Sequence, residues 1–174
     1  EAYIEFAPDG TAVQVAIDDP RIIRMRTFSK AYGLAGARVG YALGAQDLIG
    51  QFEKIRNHFG MNRAAQSAAE AALNDQAWLL SVRDKVEASK QEIARIADEN
   101  GLSTVESATN FMAIDCGRDG VFAQAVLAHL VQAGLFVRMP FVAPQNRCIR
   151  VSAGRSEDMD LLRRALPKAD RKST

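Results

Sequence analysis

Cysteine is scarce in this sequence of 174 residues: Cys116 and Cys148 are the only two, too few for a disulfide framework, and neither shows a metal-ligand spacing. They read as free thiols in a reducing compartment. Histidine is equally sparse. His58 and His129 lie far apart with no carboxylate or cysteine pattern around either, so the sequence offers no metal site and no histidine-centred triad. Each suits a helix surface or a satisfied core position. Long apolar runs are missing, and the first residues lack the basic-then-apolar order of a secretory signal. The expectation is a cytoplasmic protein with no membrane partner. An excess of either charge is absent too, with 22 Lys and Arg against 21 Asp and Glu and a formal net charge of +1. That balance predicts no nucleic-acid partner, and the short basic tail "KADRKST" reads as a frayed, solvated terminus.

What is present suits a globular chain. Hydrophobic residues make up 48% and charged residues 25%, enough for one good core or two small ones. "EAYIEF" alternates from the first residue, without an initiator methionine, and predicts a strand in a piece of something longer. After the breaker Asp18-Asp19-Pro20, "IIRMRTFS" predicts a second strand, with Ile23, Met25 and Thr27 on one face and Arg24 and Arg26 on the other. "ARVGYALG" predicts a third. Helices are expected in "AQDLIGQFEKIRNHF", in the alanine-rich "NRAAQSAAEAALND", and over a longer span from Trp78 to Asp98. In that last helix Leu79, Val82, Val86, Ile93 and Ala97 form one stripe, with Lys90 and Glu92 among the charged residues covering the rest, and Asn100-Gly101 ends it.

Beyond it the pattern is strand, strand, helix, strand, strand, helix: "LSTVES", "NFMAIDC", "VFAQAVLAHLVQAG", "LFVRM", "RCIRVSAG" and "SEDMDLLRRAL", the last with Ser156 as N-cap. The predicted class is α/β, with a boundary near Gln76: residues 1–75 form one part, and residues 76–174 form a small α+β domain that includes the bridging helix.

Chemistry concentrates in "TFSKAYGLAGARVG". Thr27 and Ser29 supply hydroxyls, Gly33 and Gly36 can expose backbone amides, and Arg38 supplies a fork suited to phosphate. The set describes a phosphate cradle, yet neither a P-loop nor a dinucleotide fingerprint is present. A lysine partly desolvated beside a phosphate site loses its proton more readily, which makes Lys30 a candidate nucleophile toward a carbonyl. An aldehyde carrying its own phosphate, pyridoxal phosphate, would satisfy both halves. The same residues also suit a lysine capping a turn and an arginine paired with an acid.

The longer stretch "TFSKAYGLAGARVGYALG" resembles the lysine segment of the fold-type I pyridoxal-phosphate aminotransferases, class I/II, with a likeness to histidinol-phosphate aminotransferases. "EAYIEF", "SATNFMAID" and "RCIRVSAG" resemble further segments of that family in the same order, so the likeness covers nearly the whole chain. The resemblance implies that Lys30 forms the Schiff base with pyridoxal 5′-phosphate. Thr27, Ser29 and Arg38 would contact the cofactor phosphate, and Tyr3 its phenolic oxygen. It places Asn110 near the substrate and Arg150 on the substrate carboxylate, with Arg138 as a possible specificity residue. Read singly, Arg150 also suits an exposed ion pair, and Tyr3 and Asn110 suit ordinary packing and turn positions.

By this resemblance the sequence is the C-terminal part of a longer aminotransferase, the end of the large cofactor domain followed by the small domain. The family's aspartate for the pyridine nitrogen directly precedes the Glu-Ala-Tyr triplet, and this sequence starts at Glu1. The 174 residues alone are therefore expected to be inactive. The implied activity moves an amino group between an amino acid, or histidinol phosphate, and a 2-oxo acid, in a homodimer. The alternatives are a decarboxylase or lyase of the same fold, and a non-catalytic module that binds an anion with Lys30 as a simple charge.

Overall fold

A two-stranded antiparallel ribbon organises the first part of the computed structural model: β1, Ile23–Thr27, pairs with β2, Gly40–Gly44. Its register is fixed by close approach. A Cβ on Gly40 would stand 2.6 Å from the Arg26 carbonyl oxygen, so only glycine lets β2 lie this near β1. Beyond β1, Phe28 is 2% exposed and tilts against Tyr32 at 5.0 Å and Tyr41 at 5.6 Å, forming a small core with Val39, Ala65 and Ala69. Ile23 and Met25 are exposed while Arg24 and Arg26 are half-buried, because the arginines are paired with acids at the start of the chain.

The expected first strand is instead a 3-10 turn, Ile4–Phe6. Its bonds close locally, Phe6 N–H to Tyr3 C=O at 2.9 Å and Ala7 N–H to Ile4 C=O at 3.1 Å. Pro8 supplies no donor to extend a ladder, and Gly10, at φ 85°, turns the chain. The helix expected around residues 45–59 is shorter, α1 at Gln46–Gly50 followed by a 3-10 turn at Gln51–Lys54. Gly50 lowers the propensity there, and the Asn57 side chain accepts from Phe59 N–H at 3.1 Å, closing a competing turn. Helix α2, Arg63–Asn74, starts where Asn62 accepts from Ala65 N–H at 2.7 Å and buries Ala65 and Ala69.

Helix α3, Gln76–Glu99, follows, and the division of the chain into two compact units, Glu1–Arg83 and Asp84–Thr174, falls inside it. In the second unit β3 (Ser103–Val105), β4 (Phe111–Asp115) and β5 (Cys148–Ser152) form an antiparallel sheet in the order β3-β4-β5. Helices α4 (Gly120–Gln132) and α5 (Ser156–Lys172) complete it. Alternation sorts the two strand faces. Met112 pairs with Val151 and Ile114 with Ile149, and all four enter a core with Ile93 and Ile96 of α3, Val126 and Leu130 of α4, and Leu162 and Leu166 of α5. Phe111, Ala113 and Arg150 share the other face.

Three expectations are corrected here. "LFVRM" is not a strand: it makes one bridge, Arg138 to Arg150, and Pro140 stops further pairing. Ser156 is the first residue of α5 rather than its cap. The Asp158 carboxylate reaches back to accept from Arg155 N–H at 2.9 Å, one half of a capping box with Arg155 in the cap position. Lys90 is 8% exposed rather than solvated, with its ammonium donating to Ser107 C=O at 2.7 Å. The basic tail expected to fray begins within α5, which runs to Lys172; Ser173 and Thr174 lie outside the described residues 1–172.

Candidate active site

Lys30 stands just past the end of β1, on a turn whose geometry the sequence determines residue by residue. Thr27 ends the strand, and its Oγ1 accepts from Ser29 N–H at 3.1 Å. Phe28 is locked by its own backbone, donating to Val39 C=O at 3.2 Å and accepting from Leu34 N–H at 2.9 Å. Gly33, at φ 71°, closes the turn by donating to Lys30 C=O at 3.0 Å. With Phe28 and Ala31 turned into the core, Ser29 and Lys30 are left facing outward. The Lys30 ammonium lies 5.2 Å from the centre of the Tyr3 ring.

Arg38 caps the short 3-10 turn Ala35–Ala37 in the left-handed region, φ 55° and ψ 47°. A bulky side chain there is strained, and strain of this kind persists where surrounding structure enforces it, often at ligand sites. Its guanidinium donates to Ala35 C=O at 2.7 Å and remains exposed. Tyr3, Thr27, Ser29, Lys30 and Arg38 thus all belong to the first unit, with Tyr3 and Lys30 in direct contact and Thr27 bonded to Ser29.

Four residues to which sequence reading gave no site role, Glu1, Glu5, Arg24 and Arg26, are joined beside them. Arg26 Nε is 2.6 Å from Glu1 Oε2, and its guanidinium reaches Glu5 Oε1 at 3.5 Å. Arg24 adds a longer contact to Glu1 at 3.7 Å. Burial works against the Glu1 carboxylate, but the hydrogen bond and charge of Arg26, helped by Arg24, outweigh it and hold the group below the usual carboxylate range. Tyr32 is pushed up, by burial first and then by the charge of Glu5. The available signal was two acids four apart facing two arginines two apart, a match across unrelated segments with no local period.

In the second unit Asn110, Arg138 and Arg150 come from adjacent chain segments. Arg138 and Arg150 exchange both backbone hydrogen bonds, at 3.2 and 2.6 Å, so their side chains start side by side. Both line a cavity of about 590 Å³ with Gln124, Leu127 and Phe141, and no acidic residue lines it. The Arg150 guanidinium sits 4.8 Å from the centre of the Phe111 ring, and Ala113, opposite Arg150 in the ladder, leaves it room. Asn110 immediately precedes β4, and its carbonyl accepts from Ala153 N–H at 2.9 Å, tying it to the end of β5. Two arginines among the residues of an acid-free cavity suit an anionic group such as a carboxylate. Among the described residues no group of His, Cys, Asp and Glu is placed to hold a metal ion, and no helix is long and apolar enough to cross a membrane.

A hydroxyl pair, an outward lysine and a strained arginine on an α/β frame narrow the class, and the family follows from direct comparison. The chain belongs to the aminotransferase class I and II family, whose model matches residues 1–166. Among curated relatives, histidinol-phosphate aminotransferase of Bacillus pumilus is 38% identical over 160 residues, covering 90% of this chain and 43% of that protein. The crystal structure of histidinol-phosphate aminotransferase from Sinorhizobium meliloti in complex with pyridoxal-5′-phosphate matches with a TM-score of 0.97 and 51% identity, covering 100% of this chain and 48% of that one. L-threonine-O-3-phosphate decarboxylase from Porphyromonas gingivalis, at 19% identity and a TM-score of 0.72 over 97% of this chain and 53% of its own, shares the fold. The chain spans about half the length of the relatives it matches.

Proposed function

We propose that this chain supplies the lysine segment and the substrate-carboxylate domain of a pyridoxal-phosphate-dependent aminotransferase. Residues 1–75 would complete the large cofactor domain and residues 76–174 would form the small one. The observation that carries the reading is the Lys30 amine, outward-facing at a strand end and 5.2 Å from the Tyr3 ring, with the Thr27 and Ser29 hydroxyls and the Arg38 fork on the same short segment. These residues fit the cofactor: an amine for its aldehyde, and neutral and cationic donors for its phosphate. When bound, pyridoxal phosphate supplies a carbonyl for amines and a ring that withdraws electrons from the substrate Cα.

The chain's own residues then divide the work. Thr27, Ser29 and Arg38 bind the phosphate dianion, and the Tyr3 hydroxyl donates to the phenolic oxygen. Lys30 would hold the aldehyde of the cofactor and, with a substrate amine in its place, would move the proton from the substrate Cα to C4′, as base and then acid. Arg150 clamps the substrate carboxylate, which orients the Cα–H bond for that transfer. Asn110 lies near the substrate, and Arg138 serves a second anionic group or the side chain. The amino donor is an amino acid or histidinol phosphate and the acceptor a 2-oxo acid, in a cytoplasmic homodimer.

Borohydride reduction of the native protein with pyridoxal phosphate, followed by peptide mapping, is expected to place an adduct on Lys30, and Lys30→Ala is expected to abolish amino transfer from a panel of donors to 2-oxoglutarate. An unmodified Lys30 favours the anion-binding module instead. Carbon dioxide release without amino transfer would make the protein a decarboxylase.

A further inference from the structure

We propose that Arg26 is a positioning residue for Lys30: by gripping Glu1 and Glu5, on either side of Tyr3, it holds the tyrosine ring over the lysine side chain. The segment that carries Tyr3 has little structure of its own, since its regular part is the three-residue turn Ile4–Phe6. A turn that short does not fix a side chain's place on its neighbours. Glu1 and Glu5 reach across to β1, and both meet the same guanidinium, at 2.6 and 3.5 Å.

The environment favours rigidity over a loose surface pair. The side chains of Arg26 and Glu1 are 21% and 22% exposed and that of Glu5 only 6%. Glu5 Oε2 is buried without a hydrogen-bond partner, and Oε1 carries the contact to the arginine. A guanidinium can serve two carboxylates at once because its planar fork offers donors in several directions; an ammonium has no such fork. On the other side, Arg26 is tied to Lys30 through a stiff link. It pairs with Tyr41 in the ladder, its carbonyl abuts Gly40, and the next residues are fixed by the Thr27–Ser29 and Phe28–Val39 bonds. Arg26 therefore sets the Tyr3 segment against a lysine whose own position does not depend on it. For the activity proposed above, on which the functional meaning rests, that fixes the tyrosine hydroxyl relative to the reacting amine.

The test uses the full-length protein without cofactor. Its lysines are reductively methylated with ¹³C-formaldehyde and observed by proton–carbon correlation. The Lys30 dimethylamino resonance, identified by its loss in Lys30→Arg, is expected upfield of the exposed lysines through the ring current of Tyr3, and to return to their position in Tyr3→Ala. Arg26→Met is expected to lose the upfield shift as Tyr3→Ala does, and Arg24→Met, which removes the longer contact to Glu1 and a hydrogen bond to Val13 C=O but leaves the Arg26 contacts in place, to keep it. The double variant Glu1→Gln/Glu5→Gln leaves Arg26 in place and is expected to lose the shift as well, which guards against a folding defect in Arg26→Met. An ordinary Lys30 resonance in the parent, or an upfield resonance retained in either clamp variant, overturns the proposal. Because no cofactor enters, this outcome is separate from the borohydride result: an upfield resonance retained in the clamp variants beside an intact Lys30 adduct overturns the positioning role alone, and a missing adduct overturns the cofactor reading alone.

Discussion

At the scale of single residues, Arg38 carries a conflict between backbone and side chain. Its left-handed backbone costs about 1 kcal/mol for any residue with a Cβ, while its guanidinium suits the anion site. Arg38→Gly relieves the first and removes the second. Denaturant titration is expected to find the variant within about 1 kcal/mol of the parent or slightly more stable, since the flexibility glycine gives the unfolded chain offsets part of the relief. Equilibrium dialysis with pyridoxal phosphate is expected to show affinity reduced about tenfold or more, the usual effect of losing a charge-assisted hydrogen bond. Gly40 is the reverse case. Gly40→Ala sets a methyl group against a backbone carbonyl that cannot rotate away, and about 1–3 kcal/mol of stability should be lost in the same titration. The Lys30 segment could be singled out because its residues are local, with hydroxyls, a lysine, glycines and an arginine inside one turn and a short loop. Arg26 and Glu5 were not, because their meaning lies in a contact that spans 21 positions.

At the scale of elements, α3 shows how a helix is legible in its stripe and opaque in its exceptions. Ile93 and Ala97 are buried as the spacing predicts. Lys90 breaks the pattern: its ammonium donates to Ser107 C=O at 2.7 Å and pairs with Glu87 at 2.8 Å. Composition alone cannot reveal a lysine that reaches a carbonyl of another segment. The receiving segment is the turn before β4, where the Ser107 and Thr109 hydroxyls meet at 2.9 Å and set up Asn110 and Phe111. Lys90→Met should therefore destabilise the protein by about 1.5–3 kcal/mol by chemical denaturation. It should also change the acid limb of stability. The Lys90 hydrogen bond, opposed by some burial, holds the Glu87 carboxyl below its ordinary value. A depressed carboxylate adds stability above its unfolded pKa and loses it as pH falls through the lower folded value. Stability measured from pH 6 down to 2 is expected to fall less steeply in Lys90→Met than in the parent. The first hexapeptide and "LFVRM" misled for a related reason: alternation indicates a strand only where a neighbour completes the ladder, and Pro8 and Pro140 interrupt both.

At the scale of the whole molecule, two cores of different size hold two units. The first is small, gathered around Phe28, and the second is a full sheet-and-helix core around Ile93, Ile114, Leu130 and Ile149. Ile114 is fully buried at the centre of β4, so Ile114→Ala is expected to cost about 2–5 kcal/mol, read as a lowered denaturation midpoint of the second unit. The class and, apart from "LFVRM", the order of elements in that unit were readable because each strand and helix has its own period. The changeover inside α3 was not, because an amphipathic helix continues its pattern across a division of contacts.

The sheet of the second unit keeps two ledgers on one backbone. Positions 112, 114, 149 and 151 enter the core, and positions 111, 113 and 150, interleaved with them, face the other way, with Arg150 proposed to bind substrate. A library restricted to the second set leaves the core side chains of the first untouched. Deleting one residue from β5 would exchange the two sets, driving a guanidinium into the helices and an isoleucine out to the opposite face, so heredity in this region can tolerate substitution far more readily than a change of length.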